Sequence, residues 1–257
     1  MKLKIDINCD LGESYGAFKV GDDPEIMPHI TSANIACGFH AGDPMAMAQT
    51  VALAKKHRVA IGAHPSFPDL IGFGRREMQL TREEVKNYII YQVSALQGFA
   101  EAAHLTLQHV KPHGALYNMA AKDEELARAI VDGIKTLNPN LIVFAQPKSA
   151  LAKAAAKARL HVAYEFFADR NYNPDGSLVS RKKPTASIQN PQKMVERAVN
   201  AITNRNVLTV NGEAVKLGEV HTICVHSDNP AAVKLARALH KGLEKAGIEV
   251  KPVGSFI

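Results

Sequence analysis

Short apolar runs alternate with longer amphipathic ones from one end of the chain to the other. Strand-length runs fall at 3–9, 32–37, 59–63, 107–112, 141–146, 161–166 and 221–226. Patterns of helical period lie between them at 44–57, 81–104, 123–138, 148–158, 191–204 and 230–246. Asp43-Pro44, Asn190-Pro191 and Asn229-Pro230 set a capping side chain before a proline suited to the first helical position, and Thr81 with Glu84 reads as a capping box. Regular alternation of strand and helix predicts a parallel sheet. Seven or eight mostly parallel strands, with no Gly-x-Gly-x-x-Gly turn after the first, predict a TIM-barrel-like α/β barrel rather than an open doubly wound sheet. Residues 248–251 are the candidate eighth strand.

Side chains along a strand alternate faces, so parity sorts each run into an outer and an inner set. Ile5, Ile7 and Cys9 fall on one face of the first strand, and Asp6, Asn8 and Asp10 on the other. The second strand sets Ile35 and Cys37 against Asn34, Ala36 and, further on, His40; the third sets Ile61 and Ala63 against Gly62 and His64. In each case the non-helix face turns polar toward the C-terminal end, where barrel active sites lie. The fourth strand ends in Lys111-Pro112-His113, the sixth runs through Glu165 to Asp169-Arg170, and the last gives His226 and Asp228. With Glu13 in the first loop, these residues are expected to converge on one rim. One histidine at a strand end is ordinary; four of eleven, at four different strand ends, indicate chemistry.

No composition break divides the 257 residues, so one domain over 1–257 is expected. It carries a lid-like polar loop at 166–190 and a small hairpin at 207–217 around Asn211-Gly212. The net charge of +6 raises the question of nucleic acid, but the cations are scattered apart from Arg75-Arg76 and Arg181-Lys182-Lys183. With 6% aromatic residues and no Trp there is little to stack bases on. Cys9, Cys37 and Cys224 sit in apolar runs and read as small buried hydrophobes. No signal peptide and no apolar run of membrane-spanning length are present, so a cytoplasmic protein without a membrane partner is expected. Gly72-Phe73-Gly74 lacks the third glycine of a dinucleotide loop, and no Walker-type phosphate loop exists.

The segments KIDINCDLGESYGAFKVGDD, TSANIACGFHAGDP, RVAIGAHPSFPDLIGFGRR, VKPHGALYN, EFFADRNYNPDGSLVSR and ICVHSDNP resemble the LamB/YcsF family over residues 2 to about 250, in the same order and spacing. Two departures stand out: Lys183-Pro184-Thr185-Ala186 where the family has a Gly-Ala step, and Ser227 in place of a glycine. The resemblance implies a barrel like those of the glycoside hydrolases and deacetylases. It also implies ATP-dependent cleavage of 5-oxoproline to glutamate, with ATP and Mg²⁺ as cofactors and 5-oxoprolinase subunits B and C as partners.

Opening a lactam needs a base for water, a partner for the oxyanion, an acid for the ring nitrogen and a clamp for the substrate carboxylate. The catalytic candidates are Asp10, Glu13, His64, Lys111, His113 and Glu165. Asp10 or Glu13 is the expected base and His64 or His113 the proton carrier. Asn8, Asn34, His40, Arg170, His226 and Asp228 are candidates for binding substrate or phosphate. Two other functions stay open: a metal-dependent amidase or deacetylase using Asp10, His64 and His113 as ligands, and a lactam-binding accessory subunit without catalysis.

Overall fold

The computed structural model describes residues 2–181 and 183–257, so Lys182 of the basic triplet lies outside the described residues. Seven parallel strands follow one another around a ring: β1 (Lys4–Leu11), β2 (Ser32–Ala36), β3 (Ala60–His64), β4 (Leu107–Val110), β5 (Ile142–Ala145), β6 (Val162–Phe167) and, after a hairpin, β9 (Thr222–His226). β9 pairs back onto β1 in the register Asp6↔Thr222 to Asp10↔His226, which closes the barrel. The hairpin is β7 (Asn206–Leu208) against β8 (Ala214–Lys216), antiparallel. β10 (Glu249–Val250) pairs only with Lys4 and Ile5, while β2 takes up β1 from Asn8 onward. The expected eighth strand therefore forms but stands outside the ring, which closes with seven.

Helices α1 (Asp23–Ile26), α2 (Pro44–His57), α3 (Arg82–Ala102), α4 (Gly114–Ala120), α5 (Glu124–Leu137), α6 (Ala150–Lys157), α7 (Pro191–Asn204) and α8 (Ala232–Lys245) cover the outside. Asp43 caps α2 through the amides of Met45 and Ala46, the Thr81–Glu84 capping box opens α3, and Asn190 caps α7. α8 begins two residues later than its Asn-Pro signal: Asn229 uses its side chain to bond the amide of Ala231 in a turn, and the helix follows. α4 is too short to show a helical period in the sequence. No helix among the described residues is long and apolar enough to cross a membrane.

Ile5, Ile7, Cys9 and Leu11 join the apolar shell between strands and helices, with Ile35, Ile61, Val110 and Val143 from neighbouring strands. The opposite parity brings polar groups into the barrel, among them Asp6, Asn8, Asp10 and Asn34, which pair across strands. His109 lies over β3, where a Cβ on Gly62 would stand 2.2 Å from its ring. Its own ring stacks on Phe144 at 4.0 Å. Below it Ile142, Phe144, Ala163 and Val253 form a separate apolar plug, with Phe256 of the C-terminal turn packed on it.

Asp6 sits in this lower half, fully buried among the hydroxyls of Thr31, Ser32 and Thr222. Burial pushes its carboxyl up to about 6, against the pull of Ser32, Thr222, Thr31 and the Val253 amide. A folded-state value above the unfolded one means a stability contribution that is complete below pH ~4 and lost as pH rises through ~6, by about 3 kcal/mol. Denaturant melts from pH 4 to 7 are expected to show this decline in the wild type and a flatter profile in Asp6→Asn. Parallel profiles would count against it.

Candidate active site

Inside the barrel a buried polar column leads up to the mouth. His109 Nε2 meets Asn34 Oδ1 at 2.7 Å, and the Asn34 amide nitrogen donates to Asn8 Oδ1 and Asp10 Oδ1, both at 2.8 Å. Lys111 Nζ stands at the centre. It lies 2.9 Å from Asp10 Oδ1, 2.9 Å from Glu165 Oε1, 3.1 Å from Asn8 Oδ1 and 3.0 Å from Cys224 Sγ. Glu165 also accepts from Asn8 Nδ2 at 3.0 Å and from the Tyr117 hydroxyl at 2.6 Å. Burial works against the Lys111 ammonium, but Asp10, Cys224 and Glu165 more than offset it and hold its pKa well above the ordinary lysine value. Every hydrogen of that ammonium is engaged.

Four groups gather above the column. His64 Nδ1 bonds the backbone oxygen of Lys111 at 2.7 Å, and His113 Nε2 bonds that of Phe73 at 2.9 Å. Their other nitrogens, His64 Nε2 and His113 Nδ1, face each other at 2.9 Å. Carbonyl oxygens only accept, so both outer nitrogens carry hydrogen. The inner contact then requires one cation between the rings, a shared proton or a metal ion. Asp10 Oδ1 lies 3.4 Å from His64 Nε2, and Glu13 Oε1 lies 3.5 Å from His113 Nδ1 and 3.3 Å from His40 Nε2. His40 stacks flat on His113 with ring centres 3.8 Å apart. Ser227, the departure from the family pattern, directs its hydroxyl to Glu13 Oε2 at 3.4 Å.

The environment drives the two carboxyl groups in opposite directions. Burial raises Asp10, but His64 and Lys111 outweigh it and hold the group well below the usual carboxylate range. Burial, Asp10 and Asp228 together push Glu13 well above it. Burial and neighbouring histidines hold His40 and His113 well below the ordinary histidine value.

The rim carries the remaining candidates. His226 Nδ1 meets Asp169 at 2.9 Å, and Asp228 is approached by Arg75 and Arg181. The 69–76 turn that supports Arg75 is tightly built. Asp69 accepts from the Gly72 and Arg76 amides and pairs with the Arg76 side chain. Gly74 has φ +64°, and a Cβ there would stand 2.3 Å from Ser66 Oγ and 2.8 Å from His113.

Three expected roles need correction. Asn8 and Asn34 spend their amides on the column beneath the mouth and are not placed to touch substrate. Lys111 and Glu165, expected as catalytic groups, neutralise each other and orient Asp10, so neither is left free to act on substrate. Arg170 donates to the backbone oxygens of Val179 and Ala186 and lies buried within its own loop, 6% exposed. That loop is wound on itself, with Val179, Ala186 and Ile188 buried, so Arg170 braces it rather than reaching the mouth. Tyr117 and Phe73 escaped the sequence reading. Tyr117 lies four residues after His113, one turn along α4, which was the available signal.

One nitrogen or carboxylate oxygen from each of Glu13, His40, His64 and His113 falls within 4.8 Å of the others, a spacing fit for a metal ion; Asp10, Cys224 and His226 form a second such group. The expected ligands Asp10, His64 and His113 are thus neighbours, although no single group holds all three.

The LamB/YcsF family model matches residues 5–257. The chain belongs to the LamB/YcsF family. It is 52% identical over 255 residues to the A subunit of 5-oxoprolinase from Pyrococcus abyssi, spanning 99% of this chain and 100% of the relative. It is 48% identical over 257 residues to the Fusobacterium nucleatum protein of the same name, with 100% of each covered. Among solved structures, the lactam utilization protein from Thermus thermophilus superposes with a TM-score of 0.91 at 46% identity, covering 97% of this chain and 99% of that one. A putative cellobiose-phosphate cleavage protein from Enterococcus faecalis shares the fold at TM-score 0.59 and 14% identity, covering 99% of each. In LamB/YcsF terms, the sequence blocks that carried the resemblance supply Asp10, Glu13, His40, His64 and His113, and all five meet at one mouth.

Proposed function

We propose that this chain is the A subunit of an ATP-dependent 5-oxoprolinase and supplies the residues that open the five-membered lactam to glutamate in the cytoplasm. The observation that carries the reading is the pair of carboxyl groups at the mouth driven apart by their surroundings, Asp10 kept anionic and Glu13 kept ready to hold a proton. Such a pair separates the fixed charge from the proton carrier. Glu13, oriented by His40, His113 and Ser227, takes the proton of the attacking water and delivers it to the ring nitrogen. The His64–His113 pair, with both outer nitrogens anchored on backbone oxygens, faces the oxygen on which charge develops. Asp10 balances Lys111.

ATP with Mg²⁺ supplies the driving force in this reading, but the mouth does not fit a nucleotide by itself. Lys111 is enclosed by two carboxylates and Arg170 is engaged by carbonyls, so neither is free for a phosphate. In this reading the nucleotide site belongs to, or is completed by, partner subunits B and C. A second reading, a metal-dependent amidase, is favoured by one observation. His64 and His113 have their outer nitrogens pinned and their inner ones convergent, the arrangement found around bound metals. Glu13, His40, His64 and His113, whose ligand atoms lie close together, would hold the ion, with Asp10 beside His64, and the ion would polarise the lactam carbonyl.

The test is purified chain with 5-oxoproline and ATP, with and without subunits B and C, following glutamate and phosphate. Release of both only in the complete assembly is expected. Robust glutamate release by the isolated chain would overturn the shared arrangement. Lactam turnover without ATP, with a stoichiometric divalent ion and loss on chelation, would replace it with the second reading.

A further inference from the structure

Two arginines from loops far apart in sequence close on one carboxylate above the mouth. Arg75 lies in the β3–α3 connection, Arg181 in the long loop after β6, and Asp228 two residues after β9. Arg75 Nη2 donates to Asp228 Oδ2, and Arg181 Nη1 lies 3.8 Å from the same oxygen. The Arg75 guanidinium rests over the Phe73 ring, 5.0 Å from its centre, and the backbone oxygen of Phe73 is the one that holds His113. Phe73 also meets His113 and His40 edge-on, at 5.3 and 5.7 Å. Arg75 is thus anchored directly beside the histidine cluster.

The charges here are unequal. Arg75 and Arg181 both lie against Asp228, while Asp169 is already engaged by His226. One arginine would neutralise Asp228, so the second is surplus. The side chains of Arg75 and Arg181 are 37% and 33% exposed, that of Asp228 20%. Ion pairs this open contribute little to stability. Guanidiniums converging on one carboxylate oxygen beside a reaction centre are instead the geometry of carboxylate recognition.

We propose that Arg75 and Arg181 are the clamp for the substrate's carboxylate, and that Asp228 fills this clamp until substrate displaces it. The assignment rests on the 5-oxoprolinase reading. In 5-oxoproline the carboxylate-bearing carbon and the lactam carbonyl flank the ring nitrogen. A molecule held by its carboxylate at the rim therefore presents nitrogen and carbonyl one ring width deeper, toward Glu13 and the histidines. Asp228, expected from the sequence to bind substrate, becomes its internal competitor.

The experiment uses the assembled enzyme with Arg75→Met, Arg181→Met and Asp228→Asn. Each arginine variant is expected to raise KM for 5-oxoproline roughly tenfold to a hundredfold with kcat changed only a few-fold. Inhibition by 2-pyrrolidinone, the same ring without a carboxylate, is expected to stay unchanged in both. Asp228→Asn is expected to lower KM several-fold, a change of sign that a merely structural role would not give. An active wild type with unmoved arginine variants, or a higher KM in Asp228→Asn, would remove the clamp alone. Inorganic phosphate that competes in the wild type but not in Arg75→Met, with KM for 5-oxoproline unmoved, would assign the arginines to a phosphoryl group and overturn the carboxylate assignment. A wild-type assembly inactive on 5-oxoproline would take the functional reading down together with the clamp.

Discussion

Lys111→Met will abolish turnover and lower the melting temperature by roughly 10 °C. Among the described residues the ammonium is the only cation within 3 Å of both Asp10 and Glu165, and all three side chains are buried. Removing one partner of such a cluster leaves uncompensated buried charge, at a cost of about 3–5 kcal/mol. For a chain of this length each kcal/mol corresponds to roughly 2–4 °C. Methionine keeps the length and fills the space, so the loss reports charge rather than a cavity. The double variant Lys111→Met, Glu165→Gln should recover part of the stability, because one stranded carboxylate is gone, and none of the activity. A single variant that melts like the wild type would show that the column is not held together by its charges.

Glu13→Gln will give the opposite signature, a large kinetic loss in a well-folded protein. Glutamine can still meet Ser227 and His40, so thermal melts are expected to stay within a few degrees. It cannot carry a proton between water and the ring nitrogen, and general acid–base steps of this kind contribute about 10²–10⁴ in rate. The assembled enzyme should lose that factor in kcat while KM moves only a few-fold. A variant retaining more than a tenth of wild-type kcat would transfer the proton-carrying role to the histidine pair.

The barrel was legible because two periods coexist in this chain: alternation within strands and helical spacing between them. The same alternation announced the mouth, since polar residues cluster at the ends of β1, β3, β4 and β9 on the inward parity. Depth was not legible. Asn8 and Asp10 share a face, read alike and both meet Asn34 and Lys111; only the contacts of Asn8 with Glu165 and Thr222, and of Asp10 with His64, show that one belongs to the column and the other to the mouth. Adjacent Arg75 and Arg76 also looked equivalent. The turn through Phe73, at φ +53°, helps send one to Asp228 and the other to Asp69. Arg170 misled for a related reason. A charge in a long polar loop suggests a ligand, and the backbone oxygens it serves leave no mark in a sequence. The choice between seven and eight strands was left open by β10, whose composition suits a strand but whose position on β1 is fixed by where β2 begins.

Closure of the ring through β1 and β9 has a consequence for how the chain is made. β1 emerges first and can find β2 early, but its other edge waits for residues 222–226. At ordinary rates of synthesis that delay is roughly ten to forty seconds. Throughout it a nascent strand rich in isoleucine presents an open edge, the condition under which chains pair with the wrong neighbour. Asp6 and Asp10, spaced along that strand, are inward-pointing charges of the kind that discourage such pairing. The acids that later serve the interior would first act as guards of an unfinished sheet.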